Sequence, residues 1–261
     1  MSESSSVTTI ASIERATDVL LYMASANGSD LGVTEIASDL GLSKAVVHRI
    51  LSSLRTRGFV RVDPDSRRYS LGPAALTVGA AYLDNMDVRE LAVEPMRRLV
   101  NVTGETATLS IRDGWSRIYI DQMAPPREVK MTVRLGIPFP LHAGGSSKAF
   151  LAFLPDDEID RYLAQPSLVG LTPITLTDPS VIRKEIEAIR KRGYSLSFGE
   201  RQPGAASAAA PVLDRRGHPI AVVSVSGPVE RYRPNIDEAA EHLLIETREL
   251  SRLMGWRPTA E

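Results

Sequence analysis

Four histidines, at positions 48, 142, 218 and 242, and the run Ser146-Ser147-Lys148 are the residues best equipped for acid–base or covalent chemistry. Nucleophilic catalysis needs a nucleophile within reach of a base that a third group orients. His48 falls in a basic helix, His242 in the closing helix, and His218 in a turn before Pro219. His142 stands before a glycine turn, where a structural hydrogen-bonding role is the plainer reading. No two histidines have the His-x-x-x-His spacing of a metal site. A Ser-x-x-Lys acyl-enzyme pair requires a serine three residues before Lys148, and that residue is Gly145. Cysteine is absent, which excludes thiolate nucleophiles, disulfides and zinc–cysteine sites. No cofactor is implied. A hydrolase-like enzyme using a pocket near Ser146 remains the rival reading.

The remaining chemistry is non-covalent. Gly144-Gly145-Ser146-Ser147 precedes a helical pattern, and helix N-terminal N–H groups among small residues form a ready site for a carboxylate. The plainer reading of the glycines is a tight turn. Ser224 and Ser226 share one face of a strand by its period of two, where ordinary strand residues also occur. A second feature is charge. Between Ser43 and Gly72 lie seven basic residues (Lys44, Arg49, Arg55, Arg57, Arg61, Arg67, Arg68) against two acidic ones, in a chain of net charge −1. Such a local excess suits phosphate contacts, which give affinity without sequence information.

The elements that must carry these residues follow from periodicity. Apolar spacing predicts a helix over 12–26, with Ser12 as N-cap and Asn27-Gly28 as stop. A short helix from a Thr34 cap to Leu40 ends at Gly41. A third, capped by Ser43, turns Val46, Val47, Ile50, Leu51 and Leu54 inward and closes at Gly58. This is helix-turn-helix spacing, and it leaves Ser43, Lys44, His48 and Arg49 to face base edges. Two short strands around Asp63-Pro64-Asp65-Ser66 form a hairpin, or wing, bearing Arg67 and Arg68. Helices follow at 74–86 and 87–103. The apolar residues Leu76, Val78, Ala80, Ala81 and Leu83 of the first leave surface for a second subunit to cover.

Beyond Gly104 strands and helices mix. Strands are expected at 106–112 and 117–122 around Asp113-Gly114, and at 129–135, 193–198, 207–213 and 219–226. Helices are expected at 146–154, 156–164, 178–192 and 235–255. The 43% hydrophobic and 24% charged composition is that of a folded globular chain of one large or two ordinary domains. The polar start, Met1 to Thr9, is no signal peptide, and no run approaches the roughly 18 apolar residues of a membrane span. A cytoplasmic location and no membrane partner are expected.

Several segments carry a family resemblance. Ser12-Ile13-Glu14-Arg15-Ala16, the stretch Ser43 to Gly58, Leu141 to Ala149, Arg192-Gly193-Tyr194-Ser195, and Ile220 to Pro228 resemble IclR-family bacterial regulators. They follow the family's order across nearly the whole chain. The resemblance implies an α+β chain with a winged helix-turn-helix, a linker helix, and a GAF-like effector-binding domain whose curved antiparallel sheet is flanked by helices. The corresponding boundaries are 1–72, 73–87 and 88–261. It also implies homodimers, often paired into homotetramers, near-palindromic double-stranded DNA operators, catabolic target genes and a small organic acid effector, with dimer or tetramer left open. The sign of control, repressor or activator, is left open.

By the same resemblance the effector's carboxylate meets the backbone at Gly145 and Ser146, and Ser197, Ser207, Ser224 and Ser226 complete the polar lining. Some relatives keep an acid at the position of Ser197 and a cysteine at that of Ser207. Uncharged serines there favour a neutral or larger polar ligand. Met123, Met131, Leu135, Phe139, Leu141 and Phe150 are expected as apolar walls, suited to an aromatic acid or related acyl compound.

Overall fold

A computed structural model describes residues 9–26, 30–84 and 87–257. They form two compact units that divide after residue 85. The expected helix stop at Asn27-Gly28, the N-terminal tail before Thr9, residues 85–86 of the expected linker helix and the Leu83 side chain lie outside the described residues.

The first unit contains α1 (Ala11–Ser25), α2 (Val33–Asp39), α3 (Lys44–Thr56), β1 (Val60–Val62), β2 (Tyr69–Leu71) and α4 (Pro73–Asp84). Its core gathers Val19 and Met23 from α1, Leu31, Ile36 and Ala37 around α2, Val47 and Leu51 from α3, and Val60 from β1. Ser43 caps α3, its Oγ accepting the Val46 N–H at 3.3 Å. Two other expected caps are displaced. Helix α1 begins after Ile10 without a side-chain cap, so Ser12 lies within it. Helix α2 begins after Gly32, whose N–H donates to Glu35 Oε2 at 3.3 Å, so Thr34 is already helical. The hairpin β1–β2 is antiparallel, and Leu31 exchanges backbone hydrogen bonds of 2.8 Å with Tyr69 on its outer side. Gly72 passes so close to the carbonyl of Gly58 that a β-carbon would sit 2.2 Å from its oxygen.

The second unit opens with α5 (Asp87–Thr103) and is built on an antiparallel sheet of order β5-β4-β3-β8-β7-β6. Its strands are β3 (Thr106–Asp113), β4 (Ser116–Met123), β5 (Pro138–Pro140), β6 (Ser195–Phe198), β7 (Ala205–Leu213) and β8 (Pro219–Pro228). Between β5 and β6 come α6 (Gly145–Ala152), α7 (Asp156–Leu163) and α8 (Pro179–Arg192). After β8, a short α9 (Val229–Tyr232) leads to α10 (Ile236–Leu253). The curved sheet is covered on both faces. Helices α6, α7 and α8 bury Phe150, Leu151, Ile159, Tyr162, Ile182 and Ile186 with Ala209 and Val222 of one face. Helices α5 and α10 pack on the other, where Ala208, Ala210, Val223 and Val225 are fully buried.

The expected strand at 129–135 is not a strand. Its polar backbone is satisfied by side chains instead of a ladder. Gln122 Nε2 donates to the Val133 carbonyl and Gln122 Oε1 accepts the Val133 N–H, both at 3.0 Å, while Thr106 Oγ1 donates to the Met131 carbonyl at 2.6 Å. The edge is taken by β5, whose two prolines lack the N–H that an inner strand must donate.

Candidate nucleic-acid interface and ligand site

Helix α3 presents two faces. Val47 and Leu51 are buried, whereas Ser43, Lys44, Ala45, His48 and Arg49 are exposed and contiguous at its N-terminal half. Polar side chains at the first two turns of a second helix are the part of such a motif that reaches base edges. Arg49 also borders a groove between α1 and α3 together with Arg15, a cation the sequence pattern did not single out.

The wing is a built turn. Asp63 Oδ1 accepts the N–H groups of Asp65 and Ser66 and the hydroxyl of Ser66, at 3.1, 2.7 and 2.8 Å. Those bonds hold its carboxyl below the usual carboxylate range. Arg67 follows with φ of 57°, a left-handed conformation, and is exposed at the turn. Arg68 folds back: its Nε donates to the Asp30 carbonyl and its Nη2 to Glu35 Oε2, both at 2.8 Å. The two neighbouring arginines therefore differ in kind. Arg67 is presented outward, and Arg68 ties the wing to α2.

In the second unit, cross-strand register assembles a rung of hydroxyls. Ser197 pairs with Ser207, Ser207 with Ser226, and Ser226 with Thr106. Directly paired residues share a face, so these four side chains project together toward α6. The next rung brings Ser224 and Thr108 into a 2.7 Å hydrogen bond, and Ser146 Oγ donates to Ser224 Oγ at 3.0 Å. Ser195 Oγ donates to the Gly145 carbonyl at 2.5 Å, fixing the first residue of α6 from below. A small concave site opens where α6 begins, lined by Gly144, Gly145, Ser146, Ser197, Ser207 and Ser226 together with Arg117, Tyr119 and Arg201. The first N–H groups of α6 have no acceptor within the helix and carry its positive dipole end.

The arginines change the electrostatics of the site. Arg117 is 1% exposed, its Nε donates to Ser147 Oγ at 3.1 Å, and its Nη1 has no hydrogen-bond partner. Its guanidinium carbon lies 3.8 Å from the centroid of the Tyr119 ring and 4.9 Å from that of Phe139. Arg201 lies over the same two rings, at 5.9 and 5.4 Å. Burial pulls the Arg117 pKa below its ordinary value, and the charge of Arg201 acts in the same direction. Nearby, Lys148 pairs with Glu200 at 2.6 Å and Glu185 at 3.5 Å, and Glu185 also holds Arg192 at 2.8 Å. That cluster balances two cations against two acids. Burial nevertheless raises the Glu200 pKa, with Lys148 opposing it. Arg117 and Arg201 have no carboxylate within ion-pair distance among the described residues.

Residues 12–64 match the IclR helix-turn-helix domain, and residues 80–252, more than half of the chain, match the bacterial transcriptional regulator IclR C-terminal family. The chain belongs to the IclR family. The HTH-type transcriptional regulator BhcR of Paracoccus denitrificans is 36% identical over 252 residues, 96% of this chain and 90% of BhcR. The HTH-type transcriptional repressor AllR of Klebsiella pneumoniae is 33% identical, covering 95% of this chain and 92% of its own. An IclR transcriptional regulator of Alicyclobacillus acidocaldarius has a solved structure that superposes with a TM-score of 0.84 at 30% identity, over 95% of this chain and all of that one. The protein is thus a DNA-binding transcriptional regulator of the IclR family, and not an enzyme.

Within the IclR framework, the residues expected for the effector site separate into groups. Gly145, Ser146, Ser197, Ser207 and Ser226 come together at the cavity, and Ser224 lies just beneath it, holding Ser146. Leu141 and Phe150 are fully buried in the core beneath α6, α7 and α8. Leu135 is 47% exposed, and neither it nor Met123 or Met131 contributes to the cavity lining. Phe139 reaches the site only as the surface under the two arginines. Arg117, Tyr119, Ser195 and Arg201 were not anticipated. Among the described residues no helix is long and apolar enough to cross a membrane, and no cluster of His, Cys, Asp and Glu has metal-site geometry.

Proposed function

We propose that this regulator is a ligand-responsive repressor of a catabolic operon, in which a small organic acid binds where α6 begins and alters operator affinity. The observation that carries the reading is the meeting, in one cavity, of the α6 N-terminus, the hydroxyl rung and the buried guanidinium of Arg117, whose Nη1 has no hydrogen-bond partner. Each of these favours a carboxylate, and among the described residues no protein carboxylate lines the cavity. The lining is polar, and of the expected apolar wall residues only Phe139 approaches it, beneath the arginines, which favours a short acid over an aromatic one. The curated relative AllR is a repressor, which supports the sign chosen here.

In this reading residues 1–72 bind DNA, 73–87 link, and 88–261 sense and oligomerise. The protein is cytoplasmic and acts as a homodimer, paired into a homotetramer, on a near-palindromic operator. Ser43, Lys44, His48 and Arg49 face the major groove, and Arg67 and Arg68 belong to the wing. A ligand can change operator affinity only by binding one arrangement of the reading heads better than another. A mobility-shift titration on the upstream intergenic DNA, with and without a panel of carboxylic acids, tests the proposal. Release of DNA by at least one acid is the expected result; a complex insensitive to every acid would overturn it.

A further inference from the structure

The cavity holds two cationic side chains, Arg117 and Arg201, and a single carboxylate needs only one. Arg117 lies on the floor, almost wholly buried, with Nη1 unpaired. Arg201 lies at the rim, half-buried, and its β-carbon is the atom that an added side chain at Gly144 would meet, at 3.0 Å. Both guanidiniums lie over the Tyr119 and Phe139 rings. Glu200 and Glu185 pair with Lys148 and Arg192, Glu200 through Oε1 while its Oε2 has no hydrogen-bond partner, and neither acid is within ion-pair distance of Arg117 or Arg201. Burying Arg117 without a counter-ion is costly, and the aromatic faces offset only part of that. A ligand with one negative charge compensates one guanidinium and leaves the other.

We infer that the effector is a dicarboxylate, with one carboxylate at the α6 N-terminus beside buried Arg117 and the second held at the rim by Arg201. The inference rests on the effector reading above and specifies its ligand class. It favours two separated carboxylates over one compact dianion, because Arg117 is fixed to Ser147 on the floor while Arg201 belongs to the loop above Gly144. Arg201 becomes the specificity-determining residue, and Arg117 the residue that any acid ligand requires.

Isothermal titration of the full-length protein separates the possibilities. The probes are oxalate, malonate, succinate, glutarate and phthalate, each against its own monoamide, with inorganic phosphate as the compact anion. The best diacid should bind about tenfold or more tighter than its monoamide, the scale of one charge-assisted hydrogen bond. Arg201→Gln should collapse that ratio to within about threefold while keeping the monoamide's own affinity; Arg117→Gln should weaken both, with thermal melting as the check on folding. A monoamide that binds as well as its diacid overturns the dicarboxylate inference and leaves the organic-acid reading standing. So does phosphate binding tighter than every diacid. Failure of every acid to bind overturns both.

Discussion

The hydroxyl of Ser207 occupies the space that a side chain at Gly145 would need: a β-carbon there would lie 2.6 Å from Ser207 Oγ. The next atoms, the Ser207 carbonyl and Ser195 Oγ at 3.5 and 3.6 Å, are at ordinary contact distance. Gly145→Ala therefore sets two effects against each other. Alanine gains up to about 1 kcal/mol in helix propensity, while the clash costs about 1–3 kcal/mol. Net destabilisation is expected, with loss of acid binding. In a Ser207→Ala background the same substitution should be neutral or stabilising. Urea denaturation of the four proteins measures the coupling, and strictly additive changes would show that the contact is not what requires glycine.

The wing arginines should behave differently despite being neighbours. Arg67→Ala should weaken operator binding, reduce the salt dependence by about one phosphate equivalent, and change stability by less than about 0.5 kcal/mol. Arg68→Ala removes the ties to Asp30 and Glu35, which are half-exposed, so its stability cost should be at most about 1 kcal/mol and should shrink as salt is added. A normal Arg68→Ala melting curve at low salt combined with a reduced salt slope would instead assign Arg68 to a phosphate.

On α3, Arg49→Ala should cost about 1–3 kcal/mol of operator affinity and relax preference at one base position if it reads a base. Lys44→Ala should weaken specific and non-specific DNA together. Fluorescence anisotropy at moderate salt distinguishes them. Unchanged affinity in both variants would move the reading face away from the exposed half of α3.

Much of this arrangement is legible in the residue order. Periodicity locates the helices, and the glycines at 41, 72 and 144 mark reversals that the backbone then requires. Arg117 was hidden for a specific reason. Thr108 pairs with Gln122, but Ser110 pairs with Tyr119, so β4 carries one extra residue at a bulge. Simple alternation through 117–122 cannot survive that shift, which turns Arg117 and Tyr119 toward α6. Arg201 sits in a loop where no periodicity applies. The stretch 129–135 alternates like a strand, yet Gln122 supplies with its side-chain amide what a neighbouring strand would have supplied. Hydroxyl pairing across β6, β7 and β8 depends on register, which single strands do not encode.

His142 offers a test in pH. Its Nε2 is 3.0 Å from the Val169 carbonyl, which can only accept, so Nε2 carries the proton. Nδ1 then accepts from the Tyr162 hydroxyl at 2.7 Å, and that oxygen in turn accepts the His142 backbone N–H at 3.1 Å. Protonating Nδ1 would turn an acceptor into a donor facing a hydroxyl hydrogen. Burial lowers the His142 pKa from its ordinary value of 6.5. Because the folded pKa is the lower one, the unfolded chain binds the extra proton first. The contribution of His142 to stability is therefore full above about pH 6.5 and declines as pH falls toward the folded value. Tyr162, whose own pKa burial pushes up to about 12, stays protonated throughout. Urea denaturation between pH 7.5 and pH 5 should show this decline, and His142→Gln should flatten it while lowering stability at pH 7.5. An unaltered pH dependence in the variant would assign the acid sensitivity to another group.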